Sequence, residues 1–229
     1  MTRRREFGAQ RRAQPIDKED ANTGDLVGRR MFCGALAIAL MMGMVAPADP
    51  AAVTVGGPFT LVATDGATVT ERTYRGKWLL VYFGFTFCPD TCPTTLVEIG
   101  IVLEKLGRHA DDLQPLFITV DPLRDTPAVL GQYIQSFDPR IVALTGTPEQ
   151  IAAVAREYGV YYAPHKTGPG ADDYVMDHGT YLYLMNPDGH FVRGFDAETS
   201  GDRIATTVRD MMAQWRAEAG DAAASSRSR

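Results

Sequence analysis

Cys88 and Cys92 stand four positions apart in Cys88-Pro89-Asp90-Thr91-Cys92-Pro93, directly after an apolar run that begins at Trp78. Two sulfurs at a strand-to-helix junction suit exchange of a disulfide, or coordination of a soft metal such as Cu(I). A purely structural bridge is the weaker reading, because closing so short a loop removes little entropy from the unfolded chain. A third ligand elsewhere would favour the metal, and His178, in Val175-Met176-Asp177-His178-Gly179, is the candidate. The remaining cysteine, Cys33, lies in an N-terminal apolar stretch and reads as a small apolar residue.

The elements that must place these groups follow from periodicity. Trp78 to Gly84 is a continuous apolar run of strand length, the pattern of a strand buried on both faces. Leu96, Ile99, Val102, Leu103 and Leu106 recur at helical spacing, which predicts a helix over 93–107 with Pro93 in its first turn. Unpaired N–H groups at that helix start favour thiolate over thiol at the cysteines. Upstream, Phe59 to Ala63 and Thr68 to Arg72 predict a short hairpin about Asp65-Gly66. Downstream come a strand over 116–120, a helix from Thr126-Pro127 to Phe137, and a strand over 141–144. A capping box, Thr147-Pro148-Glu149-Gln150, then opens a helix to about Tyr158.

Short strands are expected over 160–163, 174–175, 180–185 and 191–195, with a polar loop over 164–172 and a closing helix over 201–216. Such an order predicts an α/β protein with a central mixed sheet flanked by helices. A dithiol after the first buried strand, at the mouth of the first long helix, is the arrangement of thioredoxin-like folds, here with an N-terminal hairpin extension. Thioredoxin-type redox centres keep two residues between their cysteines. The three found here let the sulfurs face a common point without being forced into a bond.

Composition narrows the function further. With 45% hydrophobic and 22% charged residues in 229, the chain has the makings of one packed domain plus extensions. A net charge of -5 speaks against nucleic-acid binding. Residues 1–30 hold eight basic and five acidic side chains, directly before the sixteen-residue apolar stretch Met31 to Ala46. That asymmetry keeps residues 1–30 in the cytoplasm and sends the rest across the membrane. Residues 31–48 thus read as a signal peptide or a membrane anchor. A linker over 49–57, a folded domain over 58–217 and a flexible tail over 218–229 complete the division. The expected location is extracytoplasmic, the bacterial periplasm.

The run Gly84-Phe85-Thr86-Phe87-Cys88-Pro89-Asp90-Thr91-Cys92-Pro93-Thr94-Thr95-Leu96 resembles the signature of the Sco/SenC family. Val120-Asp121-Pro122-Leu123-Arg124-Asp125-Thr126-Pro127 is similar to that family's second block. Asp173 to His178, followed by Tyr181 to Gly189, is similar to its third. Phe87 stands where many relatives carry a polar residue or histidine, and Gly179 where serine is common. The family comprises membrane-associated copper proteins of cytochrome c oxidase assembly. The resemblance therefore implies one copper per chain, as Cu(I) or Cu(II), held by Cys88, Cys92 and His178. It implies delivery to the copper-bearing subunit of the oxidase, or to another periplasmic carrier, by a monomer that is a metallochaperone rather than an enzyme. Thiol–disulfide exchange with a copper-receiving partner is the alternative. Asp121, at the end of a strand, and Asp177 are candidates for supporting the ligands from behind. Asp125 reads as turn and helix-start chemistry.

Overall fold

In the computed structural model the described residues are 55–227, and the expected leader, anchor and most of the linker lie outside them. Among the described residues no helix is long and apolar enough to cross a membrane. Strand β3 (Trp78–Gly84) is buried at all seven positions. It lies between β4 (Leu113–Thr119), paired in parallel, and β8 (Tyr181–Met185), paired antiparallel. Outward from these come β5 (Val142–Thr145) on one side and β9 (Phe191–Asp196) on the other.

The hairpin of β1 (Thr60–Ala63) and β2 (Thr68–Thr70) adds the last two strands, through antiparallel pairing of β1 with β5. Gly66, with φ of 84°, supplies the turn between them that a side chain would resist. The sheet runs β2-β1-β5-β4-β3-β8-β9.

Alternation along β3 explains why helices cover both faces. Tyr82 points to α1 (Thr91–Leu106), where its hydroxyl meets Cys92. Phe83 points the opposite way and packs on Tyr158 of α3 (Pro148–Tyr158), with ring centroids 5.4 Å apart. Trp78, on the Tyr82 face, meets Trp215 of α4 (Gly201–Arg227) edge-on. Phe117 on that same face packs against Tyr133 of α2 (Pro127–Ile134). Three helices therefore cover one face and α3 the other, a thioredoxin-like layering.

The Thr147 capping box forms as expected, and Gly159 closes α3 in the left-handed conformation. Helix α4 continues to Arg227, past the stop expected near 216. Alanine-rich sequence over 217–224 has high intrinsic helix propensity, so helix occupies much of the segment read as a tail.

The larger difference lies between α3 and β8. The segment read as a polar loop contributes Pro164-His165-Lys166 to β6 (Tyr162–Lys166), and β7 runs from Tyr174 through His178. Among the described residues these two pair only with each other, in a separate two-stranded sheet. Little of it is buried, so its side chains lack the apolar alternation that marks a strand in sequence.

Candidate functional site

Helix α1 starts two residues earlier than its periodicity suggested, which places Cys92 in its first turn and Cys88 just before it. The Asp90 side chain at the N-cap makes no capping bond. Sulfur does that work: the Cys92 backbone N–H donates to Cys88 Sγ at 3.3 Å. A free first-turn N–H is thereby satisfied by an atom that gains from carrying negative charge.

The two thiols are unpaired and their surroundings differ sharply. Cys92 is fully buried, with the Tyr82 hydroxyl donating to its sulfur at 3.6 Å, whereas Cys88 is partly exposed. The Cys92 thiol, then the His178 ring and the backbone N–H groups of Asp90 and Cys92, draw the Cys88 thiol down to about 4 against the pull of burial. Cys92 is pushed up, by holding the proton that it shares with Cys88 and by burial. The pair carries one negative charge at neutral pH, centred on the outer sulfur. Cys88 accordingly adds stability that is complete above its ordinary value of 9.0 and is lost as pH falls through about 4.

Alkylation reads this asymmetry directly. At pH 6 a thiolate fraction near one, against about 0.1% for an ordinary thiol, outweighs the lower intrinsic nucleophilicity by roughly tenfold. Iodoacetamide should thus label Cys88 about tenfold faster than a free thiol at pH 6, and leave Cys92 unlabelled in the folded protein. Peptide mapping of the labelled chain checks it. Equal labelling of both cysteines, or a Cys88 rate that keeps climbing toward pH 9, would refute the assignment.

His178, at the end of β7, reaches the sulfurs. Its Nε2 lies 3.7 Å from Cys92 Sγ, and its Nδ1 lies 2.9 Å from the carbonyl oxygen of Gly179. A carbonyl can only accept, so Nδ1 carries a proton, and Nε2 is the ring nitrogen that faces the thiols. The ring stands edge-on to Phe85, with centroids 5.8 Å apart. Among the described residues no three His, Cys, Asp or Glu side chains form a closed metal cage as they stand. The sulfur–nitrogen separation of 3.7 Å nevertheless fits a shared ion. Bonds of about 2.3 Å to thiolate and about 2.0 Å to imidazole, opening at about 120°, span about that distance.

Of the two supporting aspartates expected, neither touches the sulfurs. Asp177 is exposed and, as the neighbour of His178 on a strand, points to the opposite side of β7. Asp121 is buried, but its carboxylate serves Arg124 and the Tyr174 hydroxyl. His165, in the segment read as a loop, pairs with Val175 on the hairpin, three register steps from His178.

The residue that sequence reading missed is Asp125. It is fully buried and accepts from the Thr86 N–H at 3.0 Å, the Thr86 hydroxyl at 2.5 Å and the Thr119 hydroxyl at 2.6 Å. Burial raises its carboxyl above the usual range, opposed by these hydrogen bonds. It anchors the loop that delivers Cys88, while helix capping falls to Thr126, whose hydroxyl accepts from the Val129 N–H. A local signal existed: a carboxylate directly before a capping threonine is not needed for the cap. Gly84 is a second such position. A Cβ there would lie 2.6 Å from the Phe117 ring and 2.9 Å from Cys92 Sγ, so only glycine lets the strand pass this close to the thiol.

Comparison with known proteins agrees with this architecture. Residues 47–213 match the family model described as SCO1/SenC. The mitochondrial SCO1 homolog of Homo sapiens is 42% identical over 165 residues, covering 70% of this chain and 54% of that protein. The chain spans about half the length of the curated relatives it matches. The structure of Bradyrhizobium japonicum ScoI with copper bound is 44% identical, with a TM-score of 0.64, covering 68% of this chain and 98% of that one. BsSco, described as a member of the Sco family of cytochrome c oxidase assembly proteins with a disulfide switch, is 25% identical. Its TM-score is 0.54, with 68% of this chain and 92% of that one covered.

Proposed function

This chain belongs to the SCO1/SenC family, and from that premise we propose that its folded domain is a copper carrier for the assembly of cytochrome c oxidase. The cargo is one copper ion per chain, held by Cys88, Cys92 and His178. The observation that carries this reading is the imidazole: its Nε2 stands 3.7 Å from the buried sulfur, while Nδ1 is held by a backbone carbonyl, as in a metal-ligating histidine. Two soft sulfurs suit Cu(I), and adding an imidazole makes Cu(II) tolerable as well. Three protein ligands leave a position through which a receiving site can enter by ligand exchange. The recipient is the copper-bearing subunit of the oxidase or another carrier. The domain acts as a monomer on the extracytoplasmic side, in the periplasm, reached or anchored through residues 31–46.

The test is direct. The segment Ala51–Arg229, a compact unit, is purified and its copper counted per chain under reducing and oxidising conditions. About one tightly held ion is expected in each. A wild-type protein that retains no copper in either would end the carrier reading.

The vicinal thiols, one nucleophilic and one buried, also support thiol–disulfide exchange with a copper-receiving partner. Cys88 would attack the partner's disulfide, and Cys92 would then resolve the mixed disulfide, leaving this chain oxidised and the partner reduced. Accumulation of a mixed disulfide in a Cys92→Ser variant, without copper uptake by the wild type, would make that the primary role.

A further inference from the structure

We propose that Arg124 is a positioning residue for His178, clamping the β6–β7 hairpin to the loop that carries Cys88. Only the copper arm of its test rests on the carrier reading above. The hairpin forms no ladder with the seven-stranded sheet. Beside it lies a cavity of about 380 Å³ lined by Val120, Leu123, Tyr162, Pro164, Tyr174 and Met176, so packing on that side is incomplete, with Met176 the hairpin's one buried side chain. Arg124 spans the gap. Its Nη1 donates to the carbonyls of Tyr174 at 2.9 Å and Asp172 at 3.3 Å. Its guanidinium carbon lies 3.6 Å from the Tyr174 ring centroid and 4.7 Å from that of Phe87, the residue before Cys88. Asp121 closes the arrangement, pairing with Nε and accepting from the Tyr174 hydroxyl at 2.8 Å.

Tyr174, Met176 and His178 alternate onto one face of β7, so holding the first of them orients the last. Planarity explains the choice of arginine, because a lysine has neither a second nitrogen to hold Asp121 while the first reaches the carbonyls nor a plane to stack on the rings. The role is geometric more than stabilising. Nη2 of Arg124 is buried without a hydrogen-bond partner among the described residues, and apolar side chains replacing the buried Arg124–Asp121 pair together would cost little, whereas removing Arg124 alone strands the Asp121 carboxylate.

Two measurements on the full-length chain test the clamp. In the copper-free protein, Arg124→Met made together with Asp121→Asn, so that no buried carboxylate is left unpaired, should raise amide exchange over 174–178 by at least about tenfold and leave β3 unchanged. Unchanged exchange in the hairpin, or an equal rise in β3, overturns the proposal whether or not the protein carries copper. With copper, competition against a Cu(I) chelator should show the Arg124→Met/Asp121→Asn double substitution weakening binding by about 10–100-fold, as loss of a ligand-orienting partner does. In a His178→Ala background the same double substitution should change affinity less than about twofold, because the group that Arg124 positions is gone. Equal losses in both backgrounds would mean general destabilisation and would overturn the proposal. A wild type that binds no copper removes the carrier reading, and the exchange measurement then decides the clamp alone.

Discussion

His178→Ala is expected to weaken Cu(I) binding by more than about 100-fold, beyond what loss of an outer partner costs, and to abolish stable Cu(II) binding. The two oxidation states respond unequally because Cu(I) tolerates a pair of soft sulfurs, whereas Cu(II) needs the harder nitrogen. Folding should hardly notice. The ring is half-buried at the end of a two-stranded sheet and gives up mainly its edge contact with Phe85, worth about 1 kcal/mol. For a domain of this size that lowers Tm by about 2–4 °C. Chelator competition, the charge-transfer band of the Cu(II) form and a thermal melt measure all three quantities. Unchanged affinity for both oxidation states would remove His178 from the ligand set.

Asp125→Ala should produce the largest stability loss of any single substitution at the site. It strands the Thr86 N–H, the Thr86 hydroxyl and the Thr119 hydroxyl in a dry interior, at about 1–3 kcal/mol for each unsatisfied group. A net loss of about 3–5 kcal/mol follows, a large fraction of the total for a typical domain, with Tm falling by about 10 °C. Asp125→Asn should cost less, because its oxygen can keep accepting from the Thr86 N–H and the Thr119 hydroxyl while the Thr86 hydroxyl rotates to accept from the new amide.

The pH dependence has a definite sign. Burial raises this carboxyl in the folded state, so its contribution to stability is greatest below the ordinary carboxylate value of 3.8. It then declines as pH climbs through the raised folded value. The gap in stability between wild type and Asp125→Asn should therefore narrow from pH 3.5 to pH 7. A gap that widens over that interval, or an alanine variant as stable as wild type, would contradict the buried anchor.

What was legible in the sequence had local causes. The run Trp78 to Gly84 announces a strand covered on both faces, and Thr147 with Gln150 announces a helix start, because each pattern is written in adjacent residues. The cysteine spacing, with the third block's histidine, pointed to three side chains that folding brings into contact. The partners of the anchor and of the clamp were not legible. Asp125 joins Thr86 across 39 positions, and Arg124 joins Tyr174 across 50, so no periodicity carries either contact. The β6–β7 pair was hidden for a different reason. A two-stranded sheet with one shallow face needs few apolar residues, and Pro164-His165-Lys166 resembles any exposed turn.

If the site carries copper as proposed, the unequal depth of the two sulfurs gives unloading a direction. An acceptor arriving from solvent meets Cys88 first, since Cys92 lies beneath the surface with no exposed area. Exchange must begin at the outer thiolate and finish at the inner one, like a zip drawn from its open end. Small thiols in solution share only that first step. A protein acceptor that can press its own donors inward past the hairpin completes the rest, so shape as well as affinity decides who empties the site.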